Sequence, residues 1–458
     1  MKKSIAVVGA GLCGSVLATL LRNDFEVTVI EQGRTKRPLF DDVDCATGEL
    51  NTSINRAEGL GGTTNYWHNA LIELDDHDLT KAGIPPSDFG PYYQKAWSFF
   101  LSESELAECN RARDANSAVV ERNGTKIAHM VLPQTRHNVW QLANQHNPGE
   151  PIKVVYGHVE RIVAATNGAR GSVEISGGNG VERVEADYIL SCGGGLATPV
   201  LLARSLGQDS AFCAGYHDHP MAYIAKVKIR PESQLKAISC TTTRTAEVRA
   251  GIVYETADLK TVIYLRPAID LGLGSITGPA RYILSDLRND PFSPKKIGRL
   301  LGNLDAVREA ILFKTRQGFR GDYFSVLILG EQAPLATRGV QLEPGKRPSL
   351  NWHVSPEELQ SYAQSVDKFF AEYSTDILER KVLPTAEWDF RNAAHHSGTA
   401  YQFLGTPGDT SLDFFTARGL HNSFVCDASL LRAAGISNTG LTLVALAHRL
   451  AELLRAQA

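Results

Sequence analysis

Residues 4–31 read SIAVVGAGLCGSVLATLLRNDFEVTVIE, and the order of features in this stretch decides the fold. Ser4–Val8 is a continuous apolar run of the kind found in a strand buried on both faces. Gly9, Gly11 and Gly14 then form G-x-G-x-x-G. SVLATLLRND has helical spacing, and FEVTVIE is a second buried strand that ends on Glu31. Strand, glycine turn, helix and strand with a terminal acid is the dinucleotide-binding fingerprint. Gly9 permits the tight turn, Gly11 lets backbone N–H groups approach a pyrophosphate, and Gly14 lets helix and strand pack closely. The helix N-terminus stabilises the phosphate charge, and Glu31 stands where the fingerprint puts the acid for ribose hydroxyls. The motif by itself does not separate FAD from NAD.

The 458 residues, 43% hydrophobic and 21% charged, predict a large globular core and two domains. A net charge of −3 implies no global attraction to nucleic acid or an anionic membrane. Cysteines 13, 45, 109, 192, 213, 240 and 426 are scattered and odd in number, so neither a zinc ribbon nor a disulfide framework is expected. A reducing, cytoplasmic setting fits this usage. Lys2 and Lys3 lead into an apolar run too short for a signal peptide, and that run flows into the glycine motif. No uncharged apolar run reaches the ~18 residues of a membrane span.

A second glycine-rich stretch, GLGGTTNYW at 59–67, lets backbone run against a flat ligand. ADYILSCGGGLATPVLLARS at 186–205 repeats strand, glycine turn and helix, with Thr198 as the expected cap and Pro199 in the first turn. GYHDHPM at 215–221 sets His217 and His219 about Asp218. Its spacing is poor for a metal, and structural turn histidines are expected; no metal is expected elsewhere. AYIAKVKI, EVRAGIVYE, KTVIYLRPA, YFSVLILGEQ and GVQLEP, between 222 and 344, read as strands of an antiparallel sheet. Residues 293–318 read as a helix with a solvated basic face. SPEELQSYAQSVDKFFAEYS, from Ser355, reads as a capped amphipathic helix. Near the C-terminus come His395-His396-Ser397-Gly398-Thr399, then Asp427 in VCDAS, then Ser437-Asn438-Thr439-Gly440 before an apolar helix. On an extended backbone the two histidines point to opposite sides. Asn438 also has a simple role as cap of the last helix.

GLGGTTNYW, the Gly-Gly/Thr-Pro element, D-H-P, H-x-x-G-T and the Asn before the last helix together resemble the glucose–methanol–choline oxidoreductases, over about residues 4–75, 150–220 and 345–454. The resemblance implies an α/β fold: a Rossmann-like FAD-binding domain (1–75, 150–215 and 391–458) with a second, α+β substrate domain built on an antiparallel sheet (76–149 and 216–390). It implies FAD contacts from Gly61, Gly62, Thr63, Asn65 and Tyr66, a backbone contact from Val159, and Asp427 near the ribityl and pyrophosphate. Asn438 and Thr439 would lie at the flavin, with the last helix aiming its positive end at the ring. H-x-x-G-T selects His395 as the base that takes an alcohol proton while hydride passes to the flavin, and Asn438 would hold the developing oxyanion.

Some members bond FAD covalently through a histidine where this chain has Tyr66. Non-covalent FAD is therefore expected, with His68 the weaker candidate for attachment. Asn438 is followed by Thr439 instead of the usual proline, and Ala400-Tyr401-Gln402 replaces Arg-Met-Gly. The expected substrate is a sugar, polyol or biosynthetic secondary alcohol, and the electron acceptor is oxygen, a quinone or a redox protein. A non-redox lyase on the same fold, an inactive scaffold and an NAD-dependent dehydrogenase are the competing readings.

Overall fold

The computed structural model describes residues 2–39, 44–45, 56–120, 126–164, 170–177, 180–239, 241–268, 294, 322–405, 408 and 411–457. The fold is mixed α/β, with a Rossmann-like parallel sheet and a separate antiparallel sheet. The parallel sheet runs Ser423–Val425, Tyr188–Ser191, Ser4–Val8, Glu26–Glu31, Lys153–Tyr156. Ser4–Val8 is central and buried along its whole length, which explains its unbroken apolar run. Val7 pairs with Val29 on one side and Leu190 on the other. From Ser4–Val8 the chain first moves toward Glu26–Glu31 and later returns to Tyr188–Ser191 on the opposite side. The strand order therefore reverses between Ser4–Val8 and Tyr188–Ser191, the place where doubly wound sheets hold their ligands.

Helix Leu12–Leu21 packs on the last helix, Gly440–Arg455, which packs in turn on Pro86–Phe100. Phe89, Tyr93, Trp97 and Phe100 join the same apolar core as Val7 and Leu446. The aromatics at helical spacing in Pro86–Phe100 thus serve packing.

The antiparallel sheet has seven strands. Its path is Thr241–Thr242, Ala246–Thr256, Leu259–Pro267, Tyr323–Gly330, Met221–Ile229, Ile377–Val382, with Lys126–Pro133 pairing Ala246–Thr256. Helix Pro356–Glu372 covers it through Tyr362, Val366, Phe369 and Phe370. That helix starts with the expected capping box between Ser355 and Glu358.

Several local expectations are corrected. IKVVYGHVERIVAAT at 152–166 has the pattern of one strand but breaks at Gly157: Lys153–Tyr156 joins the parallel sheet and His158–Val163 a three-stranded one. A Cβ at Gly157 would overlap Ile175, so the two sheets diverge at a residue with no side chain. GVQLEP does not join the antiparallel sheet; Gly339–Gln341 pairs Ser349–Asn351, which pairs Asp44–Cys45. The helix after the Gly-Gly-Gly turn begins at Ala197, so Thr198 lies inside its first turn and is not its cap. Asn438 is not the cap of the last helix either. That position is Thr439, without a side-chain cap bond, because the chain is already α-helical there. The basic helix read over 293–318 lies, except for residue 294, outside the described residues.

Candidate active site

Around the switch point the chain builds a cradle from backbone. Gly9 has φ +94°, and a Cβ on Gly14 would overlap the Gly9 carbonyl oxygen. A Cβ at Gly11, in contrast, would meet only the Cys192 carbonyl oxygen at 4.0 Å, so that face is open for close approach. Gly194, on the adjoining strand end, has φ +85° and open space where a Cβ would stand. The second glycine loop docks here through Gly61 N–H donating to the Ala10 carbonyl at 2.8 Å. Gly61 has φ +97° and Gly62 φ +51°, conformations that favour glycine.

Two buried carboxylates brace the cradle. Glu31 accepts from Ala10 N (2.9 Å), Gly59 N (2.9 Å) and Gly33 N (3.2 Å), tying the first glycine turn to the second glycine loop. Asp427 accepts from Gly194 N (2.8 Å), Thr198 Oγ1 (2.6 Å), Ser429 N (2.9 Å) and Ser429 Oγ (2.6 Å). Burial pushes the Asp427 carboxyl up, while these four donors oppose the shift. Asn65 donates to the Gly62 carbonyl at 2.8 Å and so fixes its own loop. Thr63 is exposed, Tyr66 is half-buried, and exposed His68 lies 3.5 Å from the Arg136 guanidinium. Val159 sits at a bulge, paired with Ile175 while Arg161 pairs the next residue, Glu174.

The residues present fit a dinucleotide. Backbone N–H groups line an unobstructed approach at Gly11, the strand ends carry glycines on both sides of the switch point, and a helix N-terminus opens directly behind them.

Beside the cradle lies a cluster the D-H-P segment makes with the H-x-x-G-T segment. The two run antiparallel, bridged at His217–Ser397 and Met221–Arg391. Four residue steps separate His217 from Met221 and six separate Arg391 from Ser397, so the second segment bulges by two residues. Ala394, at φ +58°, takes up the turn. The Asp218 carboxylate, 1% exposed, fills the bulge. It accepts from Ala393 N (3.2 Å), His395 N (3.1 Å), His219 N (2.6 Å) and Tyr216 Oη (3.1 Å). Burial alone would raise its pKa, yet His396, His395, His219 and the amide donors carry it below the ordinary carboxylate range.

The bulge sends the two histidines to different neighbours. His396 is buried, its Nδ1 2.7 Å from Tyr216 Oη. Since that hydroxyl donates its proton to Asp218, it accepts one from His396. His395 is only half-buried; its Nδ1 lies 3.0 Å from His219 Nδ1, and its Nε2 has no hydrogen-bond partner among the described residues. Burial lowers the pKa of His395, with Asp218 opposing and His396 adding to the shift. His219 Nε2 reaches the Gly435 carbonyl at 2.9 Å. This joins the histidines to the loop that carries half-buried Asn438, whose side-chain amide also lacks a partner among the described residues. A Cβ on Gly440 would lie 3.0 Å from the Trp67 ring and 3.7 Å from Leu12, so this loop closes onto both glycine elements.

A sequence-family description, NAD(P)-binding Rossmann-like domain, matches residues 7–35. No curated protein matches the chain by sequence. Among solved structures, pyridoxine 4-oxidase from Mesorbium loti superposes with a TM-score of 0.59 and 16% identity, over 98% of this chain and 99% of that one. An Aspergillus oryzae RIB40 formate oxidase variant gives 0.59 and 14% identity, over 100% and 98%. A second formate oxidase structure gives 0.56 and 13%, over 100% and 99%. The fold is the fold of these oxidases. At such identities the likeness is one of architecture and extends over the whole chain.

Within that architecture the sequence-predicted residues fall in two places. Gly9, Gly11, Gly14, Glu31, Gly61, Gly62, Asn65 and Asp427 belong to the cradle and its braces. His395 and Asn438 belong to the neighbouring cluster, linked through His219 and Gly435. The sequence did not reveal Asp218 or His219 as partners of His395, nor Tyr216 as the partner of His396. The available signal was three titratable side chains in a row, His217-Asp218-His219, just before a buried strand.

Proposed function

We propose that this chain is an FAD-dependent oxidoreductase that converts a small alcohol into a carbonyl compound, in the manner of the glucose–methanol–choline family. The observation that carries the reading is His395 Nε2, an imidazole nitrogen without a hydrogen-bond partner among the described residues, beside an open dinucleotide cradle. FAD, when bound, supplies the two-electron acceptor that an alcohol C–H bond needs. Gly9, Gly11, Gly14, Gly194 and the N-terminus of Leu12–Leu21 would hold its phosphates, with Glu31 and Asp427 acting through the backbone they order. Gly61, Gly62, Thr63, Asn65 and Tyr66 would contact the ring, Val159 would make a backbone contact to the adenine, and Thr439 would lie at the ring's edge.

The protein's own chemistry is proton management. The substrate hydroxyl places its hydrogen on His395 Nε2, and the Asn438 amide steadies the oxygen as it becomes a carbonyl. Lowered by burial, the His395 imidazole is neutral near pH 7 and free to accept that proton. Oxygen is the proposed electron acceptor, supported by the oxidases that share the fold. With tyrosine at position 66 and His68 exposed against Arg136, the cofactor is proposed to be non-covalent.

The test is anaerobic mixing of the FAD-loaded protein with a panel of small alcohols, including pyridoxine and sugars, while flavin absorbance is followed. At least one alcohol is expected to bleach the flavin, and air is expected to restore it. His395→Ala should keep bound flavin and slow the bleaching by at least ~100-fold, the lower range for a general base. Bleaching at an unchanged rate in His395→Ala would overturn the assignment of the base. Flavin that stays with the polypeptide after acid precipitation would overturn the non-covalent reading.

A further inference from the structure

The pairing of His219 with His395 fixes where their protons lie. His219 Nε2 stands 2.9 Å from the Gly435 carbonyl oxygen, which can only accept, so this nitrogen carries hydrogen. A neutral imidazole has one N–H, so His219 Nδ1 must then be an acceptor. The ring is 0% exposed, and burial lowers its pKa to about 4, so it is neutral at pH 7. Its Nδ1 is 3.0 Å from His395 Nδ1, and only a hydrogen on His395 Nδ1 makes this contact a bond. The remaining nitrogen of His395, Nε2, is therefore the bare one, and it is the nitrogen without a protein partner among the described residues.

We propose that His219 is a positioning residue: held by the Gly435 carbonyl, it accepts the Nδ1–H of His395 and so fixes His395 as the tautomer whose Nε2 is free to take a substrate proton. This rests on the reading of His395 as the base. Other groups facing the pair are Asp218, which binds the backbone N–H groups of both histidines, and His396, which is committed to Tyr216. Among the described residues neither is hydrogen-bonded to the His395 ring, so neither competes for Nδ1. Once His395 holds the substrate proton it is a cation, and the Nδ1–H bond to His219 becomes charge-assisted. The same carbonyl that orients His219 is three residues from Asn438, so one hydrogen-bond line sets base and amide relative to each other. Holding a histidine in its reactive tautomer matters greatly: in the Ser-His-Asp triad the wrong tautomer costs about 10⁴-fold.

The same atoms suggest a competing occupant. Asp218, His219 and His395 offer ligand-type atoms within 4.8 Å of one another, a spacing a divalent cation could also use.

The test reads protons directly. In ¹⁵N-histidine-labelled protein without substrate, long-range ¹H–¹⁵N spectra are expected to give His395 as the Nδ1–H, bare-Nε2 form, identified by its loss in His395→Ala. In His219→Leu, His395 is expected to move to the Nε2–H form, and anaerobic flavin reduction should slow about tenfold or more, as when the orienting partner of a working histidine is removed. His219→Gln keeps an acceptor oxygen and should restore most of both signals. If His395 already has Nε2–H in the unaltered protein, or His219→Leu leaves its tautomer and the rate unchanged, the proposal fails. It also fails if purified protein carries a stoichiometric transition metal that His219→Leu loses. Should the spectra agree while His395→Ala reduces flavin normally, it is the base assignment that falls, and the tautomer relay stands as structure alone.

Discussion

The glycine cradle and the histidine cluster adjoin, yet they are built on opposite principles. In the cradle the working groups are backbone amides. Side chains are absent where a ligand must approach, and Glu31 and Asp427 spend their oxygens on the chain's own N–H groups. In the cluster the groups proposed to work are side chains, and the backbone bends through a two-residue bulge held by Asp218. A site built from amides depends on steric permission and so writes itself into sequence as glycines at fixed spacing. A site built from imidazoles depends on which distant segments meet, and on protons that only a buried carbonyl or carboxylate can place.

Experiment can test this contrast, beginning with the cluster's support. Arg338 and Glu358 form a fully buried two-pronged pair at 2.7 and 3.0 Å, 0% and 2% exposed at the side chain. The Arg338 carbonyl accepts from Gly215 N and Tyr216 N, and Glu358 accepts from Gln332, which holds Asp218 N. Arg338→Met leaves the buried Glu358 carboxylate hydrogen-bonded but without its counter-charge, and is expected to cost about 3–5 kcal/mol. Arg338→Met with Glu358→Met should recover much of it, and urea titrations of both read the difference. Were the single variant as stable as the parent, the pair would not be the foundation of the D-H-P segment.

Acid should act on the same region. His217 and His219 fall to about 4 in the fold from an ordinary 6.5, because burial disfavours their charged forms. Between these values the unfolded chain binds more protons than the folded one, so stability present above pH 6.5 is lost as pH falls toward 4. Thermal unfolding across this window should drop steeply, and less steeply in His219→Gln. An identical slope in that variant would remove His219 from the explanation.

For the cradle, Gly14→Ala sets a methyl group into the Gly9 carbonyl. Helix and strand must separate, with an expected cost of about 1–3 kcal/mol and a matching loss of bound FAD, measured by flavin retention on gel filtration. Gly11→Ala has open space and should keep the fold while weakening FAD. Equal stability losses in the two would mean that both glycines serve packing. The smallest effect is expected at Ser355→Ala, which removes the side-chain half of a capping box and should cost about 1 kcal/mol without changing flavin reduction.

The dinucleotide end of the molecule was legible from residues alone. Strand, glycine spacing, helix and terminal Glu31 are local, and local sterics permit few other readings of Gly9 to Gly14. The sequence also marked the strands of the second sheet, such as Tyr323–Gly330, as β-rich apolar runs. Tertiary structure decided what the polar residues do. Glu31, a ribose ligand by position, turned out to tie two glycine loops together, since its oxygens meet three amides from segments up to 28 residues away. Asn438 lost its capping role because the helix begins at Gly440, which puts the cap position at Thr439. The D-H-P histidines read as turn residues, yet a segment 176 residues downstream brings His395 against His219. Side-chain chemistry of that kind carries no spacing rule along the chain. It follows from burial and from the few donors and acceptors that folding leaves within reach, and these exist only once the two segments have met.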